Sequence, residues 1–299
     1  MEIILALVSA LLFALGTVLQ QRAGAQGPAH GTSSGLLLRM ARRPMWVAGI
    51  AADGLGFLAQ AAALGVGRLA VVQPLLVTSV VFALPLGVRL SGQRVHRGDA
   101  AAAVLVVAAL VGFLVVARPS GGRGEASLDE WVLAGLVCGA VCAPLVLLAR
   151  GARPPRRAAL LGAAAGVLFA LSAALTKAVV DELHSGLLHV ILSWQLYALV
   201  GVGYVSMTIN QLALDTGALA ATMATSTALD PIASVVLGLV LFAESPRGGA
   251  LEVAGTVLFL GLTLVGITVL ARSEAHLAEP ANARVSPAGP PAARQGPSS

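Results

Sequence analysis

The chain has 299 residues, is 57% hydrophobic and 11% charged, and carries a net charge of +5 with a mean hydropathy of +0.88. A soluble domain is nearer a quarter charged, so the composition excludes an ordinary water-soluble fold and predicts an integral membrane protein. The arginines sit in short loops between apolar runs, a pattern that membrane topology explains and nucleic-acid binding does not.

Nine apolar runs follow one another, each near the ~20 residues that a bilayer requires. They are residues 3–20, 45–64, 69–90, 100–117, 131–149, 158–180, 187–212, 218–242 and 251–271. Richness in Ala, Gly, Val and Leu with few aromatics predicts packed helices rather than an alternating barrel. The first run opens on Met1-Glu2, an acidic start, and is read as a true span rather than a signal peptide. Residues 1–271 then form one polytopic domain. The tail 272–299, ending SPAGPPAARQGPSS, lacks the apolar content to fold and is predicted to be disordered and cytoplasmic.

Charge sets the predicted orientation. With the N-terminus outside, fourteen of the nineteen Lys and Arg residues fall on the inner side, from Arg22, Arg39, Arg42 and Arg43 through to the tail arginines. Only Arg68, Arg118, Arg123, Lys177 and Arg247 fall outside. The positive-inside rule therefore favours nine spans, N-out and C-in.

The chain also resembles itself. Leu12-Phe13-Ala14-Leu15 in the first span matches Leu168-Phe169-Ala170-Leu171 in the sixth. Gln60 followed by AAALGVGRLA matches Asn210 followed by QLALDTGALA, 150 residues on. Spans 1–4 (3–117) thus pair with spans 6–9 (158–271), with the fifth (131–149) between them. Copies five spans apart must lie in opposite orientations, the inverted repeat of many secondary transporters.

Polar residues within these spans are the candidate site. Asp230 lies midway along the eighth, where an acid costs about 2.5–3.5 kcal/mol on insertion scales. Pro231 removes the N–H that would bond the Thr227 carbonyl. Thr222, Ser226, Asp230, Ser234 and Gly238 recur every four residues and form one stripe. It is either a cavity-lining face with Asp230 as a proton or cation site, or a packing face with a neutral, hydrogen-bonded carboxyl. In the second span Asp53 and Gln60 share a face, beside Gly49, Gly54 and Gly56. They read as site residues, or Asp53 as a group hydrated near the inner surface. Gln73-Pro74 repeats the proline device in the third span and is a polar cavity element or a kink. Asn210 and Gln211, matched by Gln60 across the repeat, either face the site or cap an interface. Lys177, the single lysine, is expected to snorkel at the membrane surface rather than act as a gate. His189 and Glu244 are placed at membrane boundaries without a role. Cys138 and Cys142 read as small packing residues, and Gly135-x-x-x-Gly139 and Gly162-x-x-x-Gly166 as close helix crossings. No nucleophile elbow, zinc motif or phosphate loop occurs, so neither enzyme chemistry nor a cofactor is expected.

Three motifs resemble a known family. Residues 67–87, GRLAVVQPLLVTSVVFALPLG, resemble the third span of NIPA-type magnesium transporters, a branch of the EamA-like drug/metabolite transporter superfamily. Asn210 with Ala213-Leu214-Asp215 is similar to that branch's Asn-x-Ala-Leu-Asp loop, and Leu241-Phe242-Ala243-Glu244 to its Leu-Phe-x-Glu span end. The resemblance implies a permease of the cytoplasmic membrane working by alternating access. The candidate site, read from the residues themselves, comprises Asp230, Asp53, Gln60, Gln73, Asn210, Ser226 and Thr222, with the lipid bilayer and a small solute as partners. Proton or cation coupling through the carboxylates, Mg²⁺ as the solute, and a non-transporting scaffold are the further expectations.

Overall fold

The computed structural model describes residues 1–25, 43–91, 97–117, 120–122, 126–245 and 250–278. The described residues are all-helical apart from one two-residue strand pair and short connections. In the hydrocarbon core backbone groups must be satisfied within the chain, and a helix does this within one segment. The helices are α1 (Glu2–Ala25), α2 (Pro44–Val66), α3 (Leu69–Leu76), α4 (Thr78–Ser91), α5 (Arg97–Ala117), α6 (Leu128–Arg150) and α7 (Pro154–Glu182). After a 3-10 turn over Leu183–Ser185 come α8 (Leu187–Leu192), α9 (Trp194–Leu214), α10 (Leu219–Leu241) and α11 (Ala250–Ala278). Strand β1 (Ser120–Gly121) pairs antiparallel with β2 (Glu244–Ser245), tying the segment after α5 to the segment after α10.

Among the described residues, seven helical stretches are long and apolar enough to cross a membrane, the third combining α3 and α4. Two further apolar stretches, 100–116 in α5 and 252–266 in α11, are shorter. The protein is thus a multi-pass α-helical membrane protein. Many of the arginines on which the predicted orientation rests, among them Arg39, Arg42, Arg94, Arg118, Arg123, Arg247, Arg284 and Arg294, lie outside the described residues. Helix α11 runs on to Ala278, and the remainder of the predicted tail, 279–299, also lies outside them.

Two of the predicted spans are interrupted. The third breaks at Val77, just after Pro74, and Thr78 Oγ donates to the Leu75 carbonyl at 2.6 Å where the helix restarts. The predicted span 187–212 is not one helix. Gly186 adopts φ +108°, a conformation suited to glycine, and starts the short α8; Ser193 is extended and separates α8 from α9.

Helix α7 is the hub. It packs on α10, α9 and α6, while α1 packs on α2, α3 and α4. The two groups meet where α3 crosses α10 and α2 touches α7, and α5 pairs with α11. Close crossings use glycine. A Cβ at Gly162 would strike Thr222 and Thr225, and one at Gly166 the Ser226 carbonyl, so these glycines let α10 lie against α7. Among the described residues no crossing forms at Gly135 and Gly139, where nothing lies within 4 Å of a Cβ. Cys138 and Cys142 are buried, as packing residues. The outer face of α6 presents Val132, Leu133, Leu136 and Leu147, each more than half exposed, as befits a surface meeting lipid tails.

Candidate functional site

Between the two helix groups lies a cavity of about 910 Å³, with walls from α1, α2, α3, α4, α7, α9 and α10. Five of the predicted site residues line it: Asp53, Gln60, Gln73, Ser226 and Asp230. Its described lining contains two carboxylates and no Lys or Arg.

Each polar group is held differently. Asp53 accepts a hydrogen bond from Gln20 Nε2 at 2.5 Å, across the α1–α2 crossing. That crossing is close because Gly16 faces Asp53 and Gly49 faces Gln20; a Cβ at Gly16 would overlap the carboxylate. Asp230 receives one long contact, from Ser234 Oγ at 3.3 Å, and otherwise faces the cavity. Gln73 is 3% exposed, and its Nε2 has no hydrogen-bond partner among the described residues. An unmade buried hydrogen bond costs about 1–3 kcal/mol. Ser172 and Thr176, also in the wall, donate to carbonyls of their own helix at 3.0 and 2.8 Å.

Thr222 and Asn210 do not line the cavity. Thr222 stands one turn before Ser226, where its backbone packs on Gly162 and its side chain is buried. Asn210 lies three residues beyond Met207, the last lining residue of α9, or about 4.5 Å further along the axis. Both have the right polarity and the wrong depth.

The aromatic walls were not anticipated. Phe13, Phe57, Phe169 and Tyr204 line the cavity, although the whole chain has only seven Phe and two Tyr. The signal was present: Phe13 and Phe169 are the equivalent residues of the Leu-Phe-Ala-Leu repeat.

Two other expectations are corrected. Lys177 does not snorkel at the surface. It is 9% exposed, and its Nζ donates to the carbonyls of Leu64 at 3.1 Å and Gly67 at 2.8 Å. Glu244 is not a bystander at a boundary. It is 2% exposed and accepts from the backbone N–H groups of Leu69 and Ala70, both at 2.9 Å. Burial pushes the Glu244 carboxyl above its ordinary range, against the opposing pull of those two N–H groups, Lys177 and Arg68.

No family model matches the chain, and no solved structure matches it. An uncharacterized protein of Corynebacterium glutamicum is 35% identical over 246 residues, covering 82% of this chain and 85% of its own.

Proposed function

The chain belongs to the family of that Corynebacterium glutamicum protein, and from its cavity we propose that it is a secondary transporter or permease, carrying a small solute across the cytoplasmic membrane by alternating access. The observation that carries this reading is the cavity itself. It is large enough for a metabolite-sized molecule, sits between two helix groups, and combines apolar and aromatic walls with two carboxylates and two glutamines. The favoured solute is organic, with a flat apolar body and a cationic group. Asp53 and Asp230 supply negative charge, and the rings supply faces for a cation. Coupling follows if a carboxylate changes protonation or occupancy during the cycle. No catalytic step is part of this reading.

The helix pairing supports an inverted repeat of nine spans. Helix α1 packs on α2 as α7 packs on α9, and α1 meets α4 as α7 meets α10. The self-paired contacts α3–α10 and α5–α11 are those expected along a pseudo-twofold axis. Phe13 and Phe169, equivalent in the repeat, face one cavity. Arg22, Arg43, Arg150, Arg153, Arg156 and Arg157 cluster at one set of helix ends, which supports N-out and C-in. These features agree with membership of the drug/metabolite superfamily.

The motif resemblance favours Mg²⁺ as the second reading. That ion takes oxygen ligands and keeps much of its water, so two carboxylates and amides could hold it partly hydrated. Among the described residues no group of three or more His, Cys, Asp or Glu could hold a metal. A scaffold would not require both acids to line one cavity.

Uptake and efflux in sealed vesicles decide among these. The panel is a set of aromatic organic cations, neutral metabolites and Mg²⁺, each over a range of pH. Saturable organic-cation flux that drops roughly a hundredfold in Asp230→Asn is the expected outcome, two orders of magnitude for about 2.7 kcal/mol. An unchanged rate and pH profile in that variant would remove Asp230 from the mechanism, and flux of Mg²⁺ alone would replace the organic solute.

A further inference from the structure

The turn Gly67–Arg68 joins α2 to α3 at one end of the cavity. Such a turn leaves the last carbonyls of one helix and the first N–H groups of the next without intrahelical partners. Here both sets are met by charged side chains from the other helix group. Lys177, from α7, donates to the Leu64 and Gly67 carbonyls at the α2 end. Glu244, just after α10, accepts from Leu69 and Ala70 at the α3 start. The signs match the dipoles, with a cation at the helix C-terminus and an anion at the N-terminus.

The surroundings are built for this contact. The Lys177 ammonium lies 5.3 Å from the centre of the Phe242 ring and 4.0 Å from Asp181 Oδ2. Gly238 makes room for Glu244, since a Cβ there would collide with Oε2. Gly67 is equally confined, because a Cβ would meet Glu2 and the Ala63 carbonyl. Glu2 holds the turn from the α1 side, accepting from Arg68 N at 2.8 Å and facing its guanidinium at 3.6 Å.

Position gives the contact its meaning. Thr176 lines the large cavity, whereas Ala178, Asp181 and Phe242 line a second pocket of about 360 Å³. Lys177 stands between the two. The second pocket also draws on Asp181, Glu182, His184 and Gln195, a polar lining unlike the apolar wall of the first. Along α7 the large cavity is followed by a smaller polar pocket, a vestibule, with Lys177 at the boundary between their lining residues.

We propose that Lys177 and Glu244 are the gate of the cavity on the Gly67 side, holding the α2–α3 turn shut, and that this turn must leave both side chains before the cavity opens into the vestibule. The gate rests on the transport reading, as the regulation of that same cavity. Closure rests on the four hydrogen bonds that the two side chains make to the turn. Removing a donor or an acceptor from either one shifts the balance toward opening.

The test reads access rather than transport. Ser79 lines the cavity, and Ser79→Cys places a thiol there. Ser185→Cys and Arg153→Cys mark the two faces, since both positions are exposed and lie beyond opposite ends of α7. A membrane-impermeant maleimide is applied to either face of sealed vesicles, with Cys138 and Cys142 as the buried background. In Glu244→Gln and in Lys177→Met, labelling of the Ser79→Cys thiol from the Ser185 face is expected to rise about tenfold or more over the parent, since Glu244→Gln leaves one acceptor oxygen for two N–H groups and Lys177→Met removes two donated bonds, each worth about tenfold. Labelling equal to the parent's from both faces overturns the gate. A variant that simply unfolds also exposes Cys138 and Cys142. In that event Glu244→Asp decides, because it keeps the charge but shortens the reach: a rise from the Ser185 face upholds the gate, and no change rejects it. Raised labelling without flux of any solute leaves the gate standing and removes the transport reading; flux without the shift does the reverse.

Discussion

The cavity and the clamped turn both hold polar groups that an apolar chain tolerates poorly, yet they treat them in opposite ways. In the cavity Asp230 has one long contact to Ser234, and Gln73 Nε2 has no partner among the described residues. At the turn, Lys177 and Glu244 are nearly fully buried, and four backbone groups are matched to them. Groups left short of partners beside open volume are available to a solute. Groups saturated by the backbone are committed to holding the chain. The same two regions should therefore separate when stability and transport are measured side by side.

The largest expected effect tests the committed side. Removing one partner of a buried charged pair costs about 3–5 kcal/mol, so Lys177→Met should lower the melting temperature in detergent by roughly 10 °C, whereas Asp230→Asn should leave it nearly unchanged. Equal shifts in the two variants would erase the distinction. A smaller effect tests the cavity walls. Phe169→Ala should weaken saturable organic-cation transport by about threefold to thirtyfold, the range of one cation–π contact, with the apparent KM rising more than the maximal rate falls. If only Mg²⁺ flux existed, the same variant would leave it untouched. The smallest effect concerns pH. The Glu244 carboxyl titrates above its ordinary 4.5 in the folded protein, so folding is favoured by the bound proton. That contribution is fully present below 4.5 and is lost as pH rises through the raised value. Melting temperature should decline over that window, and Glu244→Gln, permanently neutral, should flatten the decline. The charged groups facing Glu244 there are Lys177 from α7 and Arg68 from the turn.

What could be read from the sequence follows from range. An acid or amide inside an apolar run stands out because of its own cost, so Asp53, Gln60, Gln73, Ser226 and Asp230 could be picked without knowing their neighbours. Depth along a helix could not be read, which is why Thr222 and Asn210 fall one turn outside the cavity wall. Long-range backbone contacts were wholly hidden. Lys177 meets carbonyls more than a hundred positions away, and Glu244 meets N–H groups some 175 away; backbone acceptors and donors leave no residue-type trace. A charged residue at a span end therefore looked like an ordinary interfacial one. The break at Ser193 was hidden for another reason: the run 187–212 is apolar on average across the break, and hydropathy does not register a change of helix axis.

One further property of the clamp comes from its chemistry. The chain holds eighteen arginines and one lysine, and the lysine is at the clamp. An ammonium is compact and carries three donors that rotate about a flexible stem, whereas a guanidinium is a rigid planar fork. The two carbonyls it holds, on Leu64 and Gly67, lie three residues apart at the end of α2. A swivelling head can surrender the first while keeping the second, then find a water or the Asp181 carboxylate before surrendering that too. Release can thus proceed as a series of small exchanges, each leaving the charge partnered. A planar fork fixed to both carbonyls would have to let go of them together, so arginine at position 177 would turn a graded hinge into a latch.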